Sequence, residues 1–112
     1  MKTYVLALDL KQDPTLIKEY EAYHKKVWPE VLQSIKESGI LDMHIYRAGT
    51  RLMMQMEVDD SFSFEKKAAA DAANAKVQEW EELMWKYQQQ LPGSAPSEKW
   101  VLMEEIFALK RQ

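Results

Sequence analysis

An α+β fold with a four-stranded antiparallel sheet is predicted by three observations. The hydrophobic periodicity along the chain runs strand, helix, strand, strand, helix, strand. A short Ala48-Gly49-Thr50 turn joins the two middle strands as a hairpin. The whole order fits within 112 residues, the length of one domain. One right-handed crossover on each side of the hairpin then places both helices on the same sheet face.

Residues 3–10 (TYVLALDL) alternate only in part and are rich in Val and Leu, as in a strand covered on both faces. Lys11-Gln12-Asp13-Pro14 is a turn into a helix, with Asp13 as N-cap and Pro14 at the first helical position. That helix is predicted to run to about Ser38 and to stop at Gly39. Its apolar stripe is Ile17, Tyr20, Val27, Trp28, Val31 and Ile35, with His24 in the same stripe. Pro29 lies inside it and crowds the carbonyl of Lys25, so a kink is expected beside His24.

Residues 41–47 and 51–58 are the hairpin strands. Asp59-Asp60-Ser61 breaks the pattern and offers a cap for a second helical region, from about Ser61 to Gln90, within which Asn74 can cap a fresh start. Its second half buries Val77, Trp80, Met84 and Tyr87 at helical spacing. Residues 92–97 (PGSAPS) form a loop, and residues 99–109 the last strand. This is the ferredoxin-like β-α-β-β-α-β arrangement, a single domain over residues 1–112. The strands look apolar on both sides, with Met53 opposite Leu52, Met54 and Met56, and helices cover only one side. A homodimer of the dimeric α+β barrel type, sheet against sheet or strand against strand, is therefore expected.

Composition narrows the function. A balance of 46% hydrophobic and 29% charged residues is globular, and the net charge of −3 argues against nucleic acid. No cysteine is present, which excludes thiol catalysis and cysteine-ligated metal; two histidines argue against a histidine-rich metal site, and no metal is expected. No stretch approaches the ~20 apolar residues of a membrane span. Nor does the N-terminus read as a signal peptide, so a soluble cytoplasmic protein is expected.

His24 is the leading candidate for chemistry, because imidazole exchanges protons near neutral pH and Tyr20 one turn earlier can orient a ligand. Trp28 and Trp80 offer flat apolar walls of the kind that sugar rings pack against. The competing reading is a satisfied core histidine within an ordinary aromatic core. His44 shares one side of its strand with Asp42 and Tyr46, which fits either a polar pocket or a solvated sheet edge. Glu104 and Glu105 are adjacent on a strand, so one of them should point inward or into an interface.

Several segments together resemble the L-rhamnose mutarotase family: residues 20–30 (YEAYHKKVWPE), Ile45-Tyr46, Met56-Glu57-Val58, residues 77–80 (VQEW) and Glu105-Ile106-Phe107. The later runs, Trp80 to Tyr87 and Glu98 to Val101, resemble its L-fucose mutarotase-like branch. The resemblance implies a small, cofactor-free, homodimeric ferredoxin-like isomerase that interconverts sugar anomers. It implies that His24 is the proton donor and Tyr20 a sugar contact. Of the family's tryptophan pair only Trp80 is matched; Glu81 stands at the second place, and Met43 stands where the family has a sugar-contacting tyrosine. These departures point to L-fucose rather than L-rhamnose as the better substrate. Trp85 is either the missing ring or core.

Mutarotation protonates the ring oxygen, removes the anomeric hydroxyl proton, opens the ring to an aldehyde and recloses it on the other face. His24 is expected to supply the first proton; the base is left open among His44, an inward glutamate and water. Two rivals share the architecture: a non-catalytic ligand-binding or assembly module, and a cofactor-free monooxygenase. Pocket polarity separates them, since a sugar needs convergent polar groups beside an aromatic wall.

Overall fold

The computed structural model describes residues 2–95 and 98–112; Pro96 and Ser97, the end of the predicted loop, lie outside them. The elements are β1 (Lys2–Leu10), α1 (Pro14–Lys25), α2 (Pro29–Glu37), β2 (Ile40–Ala48), β3 (Arg51–Val58), α3 (Phe64–Ala72), α4 (Ala75–Trp85), β4 (Gln88–Gln89) and β5 (Val101–Leu102), then a 3-10 turn at Leu109–Arg111. The antiparallel sheet has the order β2-β3-β1, with β4 and β5 both on the outer edge of β1. That is the ferredoxin-like topology, with the last strand in two short pieces.

Each helical region divides at a residue the sequence marks. Asp13 accepts from the amides of Thr15 and Leu16 and starts α1. At Pro29 the chain breaks instead of kinking. A continuous helix would lose a backbone hydrogen bond there and press the proline ring on the Lys25 carbonyl; at the first position of a new helix both problems vanish. Trp28, just before it, is extended at ψ 136°, as a residue preceding proline prefers. The cap of α3 is Ser63, not Ser61, and Asn74 accepts from the amides of Lys76 and Val77 to open α4. Gly39 closes α2 at φ +93°, and a Cβ there would sit 2.6 Å from Asp59 Oδ1. Only glycine meets both demands.

The register separates the sheet's two faces. Leu6, Leu8, Leu52, Met54, Met56, Met43 and Ile45 share the helix side, and a core of Leu10, Tyr20, Val31, Leu52, Trp80, Met84 and Tyr87 joins α1, α2 and α4 to it. The other face carries Val5, Ala7, Met53 and Tyr46 beside Asp42, His44, Gln55 and Glu57. It is more mixed than the sequence pattern implied: Met53 lies between Ala7 and Tyr46, but Gln55 and Glu57 follow it on β3, opposite His44 and Asp42 on β2.

The predicted strand over 99–109 pairs only at Val101–Leu102, extended by the Met103 amide donating to the Val5 carbonyl. Gln88 and Gln89 occupy the Leu10 end of the same edge. Beyond Met103 the chain leaves the sheet. Glu104 and Glu105 are both exposed, so neither is the inward carboxylate expected, and Glu105 pairs with Arg111.

Candidate active site

The break at Pro29 places His24 in the last turn of α1, in the wall of a cavity of about 1020 Å³ between the helices and the sheet. Tyr20, His24, Trp80, Met84, Gln88 and Trp100 line one part of it. Ser34, Lys67 and Asp71 line another, where Asp71 accepts from the Ser34 hydroxyl and from Lys67 and fastens α3 to α2. A smaller groove of about 770 Å³ between α2 and α3 contains no histidine and no aromatic ring.

The Nδ1 atom of His24 lies 2.9 Å from the backbone carbonyl of Tyr20. A carbonyl oxygen only accepts, so Nδ1 carries the hydrogen and Nε2 of the neutral ring holds the free lone pair. Burial lowers the His24 pKa below the ordinary histidine value, and the bond to the Tyr20 carbonyl opposes this only in part. The resting ring is therefore neutral at pH 7. Its plane lies over the Tyr20 ring at 4.4 Å between centroids and edge-on to Trp80 at 5.7 Å.

Tyr20 is buried, and Gln88 Nε2 donates to its hydroxyl oxygen at 3.1 Å. Burial raises the Tyr20 pKa and the Gln88 bond lowers it, so the phenol stays protonated. Trp80, 8% exposed, presents its ring to the cavity. Trp28 does not line the cavity; it stacks edge-on against Trp80 at 5.2 Å and supports that wall.

Of the predicted site residues, then, Tyr20, His24 and Trp80 come together, and Trp28 stands behind them. His44 does not join them. It lies on the open sheet face, hydrogen-bonded to Asp42 at 3.0 Å and stacked on Tyr46 at 6.3 Å. Glu81 and Met43 both line the cavity, whereas Trp85 is exposed beneath the Lys99 ammonium. Gln88 and Trp100 were missed. Gln88 stands in a glutamine run that reads as the end of a helix, and Trp100 reads as one more strand aromatic. Among the described residues no group of three or more His, Asp or Glu side chains could hold a metal ion, and no helix is long and apolar enough to cross a membrane.

Fold and site together define a small ferredoxin-like protein with a largely apolar, aromatic-walled cavity into which a few polar groups, His24, Tyr20, Glu81 and Gln88 among them, are set. Residues 3–109 match the sequence model described as L-rhamnose mutarotase, and the chain belongs to that family. An L-fucose mutarotase of Xanthomonas campestris is 46% identical across 97% of this chain and 89% of its own length. A UPF0734 protein of Dictyostelium discoideum is 37% identical across 96% of this chain and 90% of its own. Among solved structures, an L-rhamnose mutarotase from Formosa agariphila superposes with a TM-score of 0.70 at 21% identity, covering 97% of this chain and 99% of that one. The tetracenomycin F2 cyclase of Streptomyces glaucescens, a polyketide cyclase, superposes with a TM-score of 0.68 at 15% identity, covering 96% of each. The fold thus serves unlike chemistries, and the site must decide between them.

Proposed function

We propose that this protein is a mutarotase that interconverts the α and β anomers of a 6-deoxy-hexose, L-fucose or L-rhamnose. The observation that carries the reading is the neutral His24, whose Nδ1 is tied to the Tyr20 carbonyl, so that Nε2 is left as a proton acceptor beside the Trp80 wall. Ring opening needs one group to take the anomeric hydroxyl proton and another to give a proton to the ring oxygen. A neutral His24 with this tautomer suits the first role in the opening step. It returns the proton on reclosure, and its proton-donor role belongs there. This reverses the opening-step role expected from the sequence, and the cause is the bond that commits the ring's one N–H. His44, on the far sheet face, is not the partner.

L-fucose is the proposed better substrate. Met43 and Glu81 both line the cavity. A thioether at Met43 cannot offer a tyrosine's hydrogen bond, while the Glu81 carboxylate can accept from a sugar hydroxyl. Saturation-transfer NMR between the two anomeric protons of each sugar tests the reading. Enzyme-dependent exchange of L-fucose, faster than that of L-rhamnose, is expected; no exchange with any 6-deoxy sugar would sink it.

We further propose a cytoplasmic homodimer. Ile106 and Phe107 are 93% and 64% exposed, and Tyr46 on the open face is 53% exposed. A second copy laid against the open face and against the segment that follows β5 would cover such surface. Light scattering at micromolar concentration should return twice the chain mass; a monomer mass would refute the dimer and leave the chemistry untouched.

A further inference from the structure

Among the described residues Gln88 is the one buried polar side chain of the core, and mutarotation as set out above gives it no task. Its backbone is fixed in β4, paired with Leu10, and its side chain reaches Tyr20, 68 positions earlier in the chain. A phenol has one hydrogen to give and lone pairs to accept with. The Gln88 amide N–H occupies the accepting side of the Tyr20 oxygen. Among the described residues no acceptor takes the Tyr20 hydrogen, and Tyr20 lines the cavity.

We propose that Gln88 is a positioning residue that turns the Tyr20 hydroxyl into a hydrogen donor aimed at the sugar's ring oxygen, making Tyr20 the acid partner of His24. The inference rests on the mutarotase reading and supplies the group that reading leaves open. As the bond from C1 to the ring oxygen breaks, its electron pair goes to the ring oxygen, which takes the Tyr20 proton. The anomeric O–H gives its proton to His24 Nε2, and C1 and its oxygen form the carbonyl. On reclosure both protons return, and the enzyme ends as it began. The donated bond from Gln88 stabilises the phenol oxygen as its proton departs, the same sense in which it lowers the Tyr20 pKa.

Three variants test this by anomer exchange with L-fucose. Gln88→Met keeps the volume and removes the bond. Gln88→Glu keeps shape and a hydrogen bond but reverses its direction, since a carboxylate accepts the Tyr20 proton. Tyr20→Phe removes the hydroxyl. Both Gln88 variants are expected to lose about tenfold in kcat, with KM changed less than about twofold. In the Tyr20→Phe background, Gln88→Met should have no further effect on kcat. Full kcat in Gln88→Glu, or independent multiplying losses in the double variant, would overturn the inference. Should Gln88→Glu fail to fold, the cycle of Gln88→Met with Tyr20→Phe decides alone. In the parent protein with tyrosine labelled at Cζ, saturating L-fucose should shift the Tyr20 resonance, and an unmoved resonance would also overturn the inference. Parent exchange that is indifferent to Gln88 defeats this inference only. Absent exchange in the parent defeats the mutarotase reading and this inference with it.

Discussion

Trp80 is both wall and keystone, so replacing it should separate folding from binding. Its indole meets the rings of Tyr23, His24 and Trp28 at 6.2, 5.7 and 5.2 Å and lies in the principal core. Removing a buried tryptophan costs about 3–5 kcal/mol, a figure that already contains the lost ring contacts. A domain of this kind has roughly 5–15 kcal/mol in total. Trp80→Ala should therefore remain folded but fragile. With a urea slope near ~2 kcal/mol/M, its midpoint should fall by about 2 M. Trp80→Phe keeps a ring against His24 and should lose roughly half as much or less. Because the wall holds the sugar before and after ring opening alike, Trp80→Phe should raise KM more than it lowers kcat. Urea unfolding followed by circular dichroism, with exchange kinetics on both variants, makes the comparison. If Trp80→Ala unfolds within about 1 kcal/mol of the parent, the indole is not the core element described here.

Two further outcomes follow from the same geometry. The His24 pKa is lowered and the neutral ring is the working form, so kcat/KM, corrected for solvent-catalysed exchange, should be flat through pH 7 and fall only below the ordinary histidine range; a fall with rising pH through that range would mark a resting imidazolium acid instead. Gly39→Ala places a side chain at φ +93° and 2.6 Å from Asp59 Oδ1, and should destabilise by more than about 1 kcal/mol in urea unfolding, whereas a neutral effect would mean the α2–β2 turn relaxes freely.

Local chemistry was legible in the sequence. Asp13, Pro14, Asn74 and Gly39 all act at the helix ends where their side chains or backbones suit them. The stripe holding Val77, Trp80, Met84 and Tyr87 is buried throughout, since period and polarity agree there. Pro29 was read as a kink because a pattern of apolar spacing does not show that three residues can leave the helix between two runs of one stripe. The last strand is overextended for a similar reason: Ile106 and Phe107 look like strand residues, but nothing local says that the chain leaves the β1 edge after Met103, with Lys2–Tyr4 of β1 still ahead of it. Tyr20 and His24 were legible as neighbours one turn apart. The tautomer of His24 was not, because it depends on a backbone carbonyl. Gln88 was not legible either, because its partner is 68 positions away and only the folded sheet edge brings them together.

The central claim is that His24 moves the anomeric proton, and His24→Gln measured by saturation transfer on L-fucose tests it most directly. Glutamine fits the half-buried space and keeps a polar group near the Tyr20 carbonyl, so the variant should unfold near the parent's urea midpoint. Its exchange rate should fall by about 10² or more, toward the rate in buffer. A folded His24→Gln protein that exchanges anomers as fast as the parent would contradict the account.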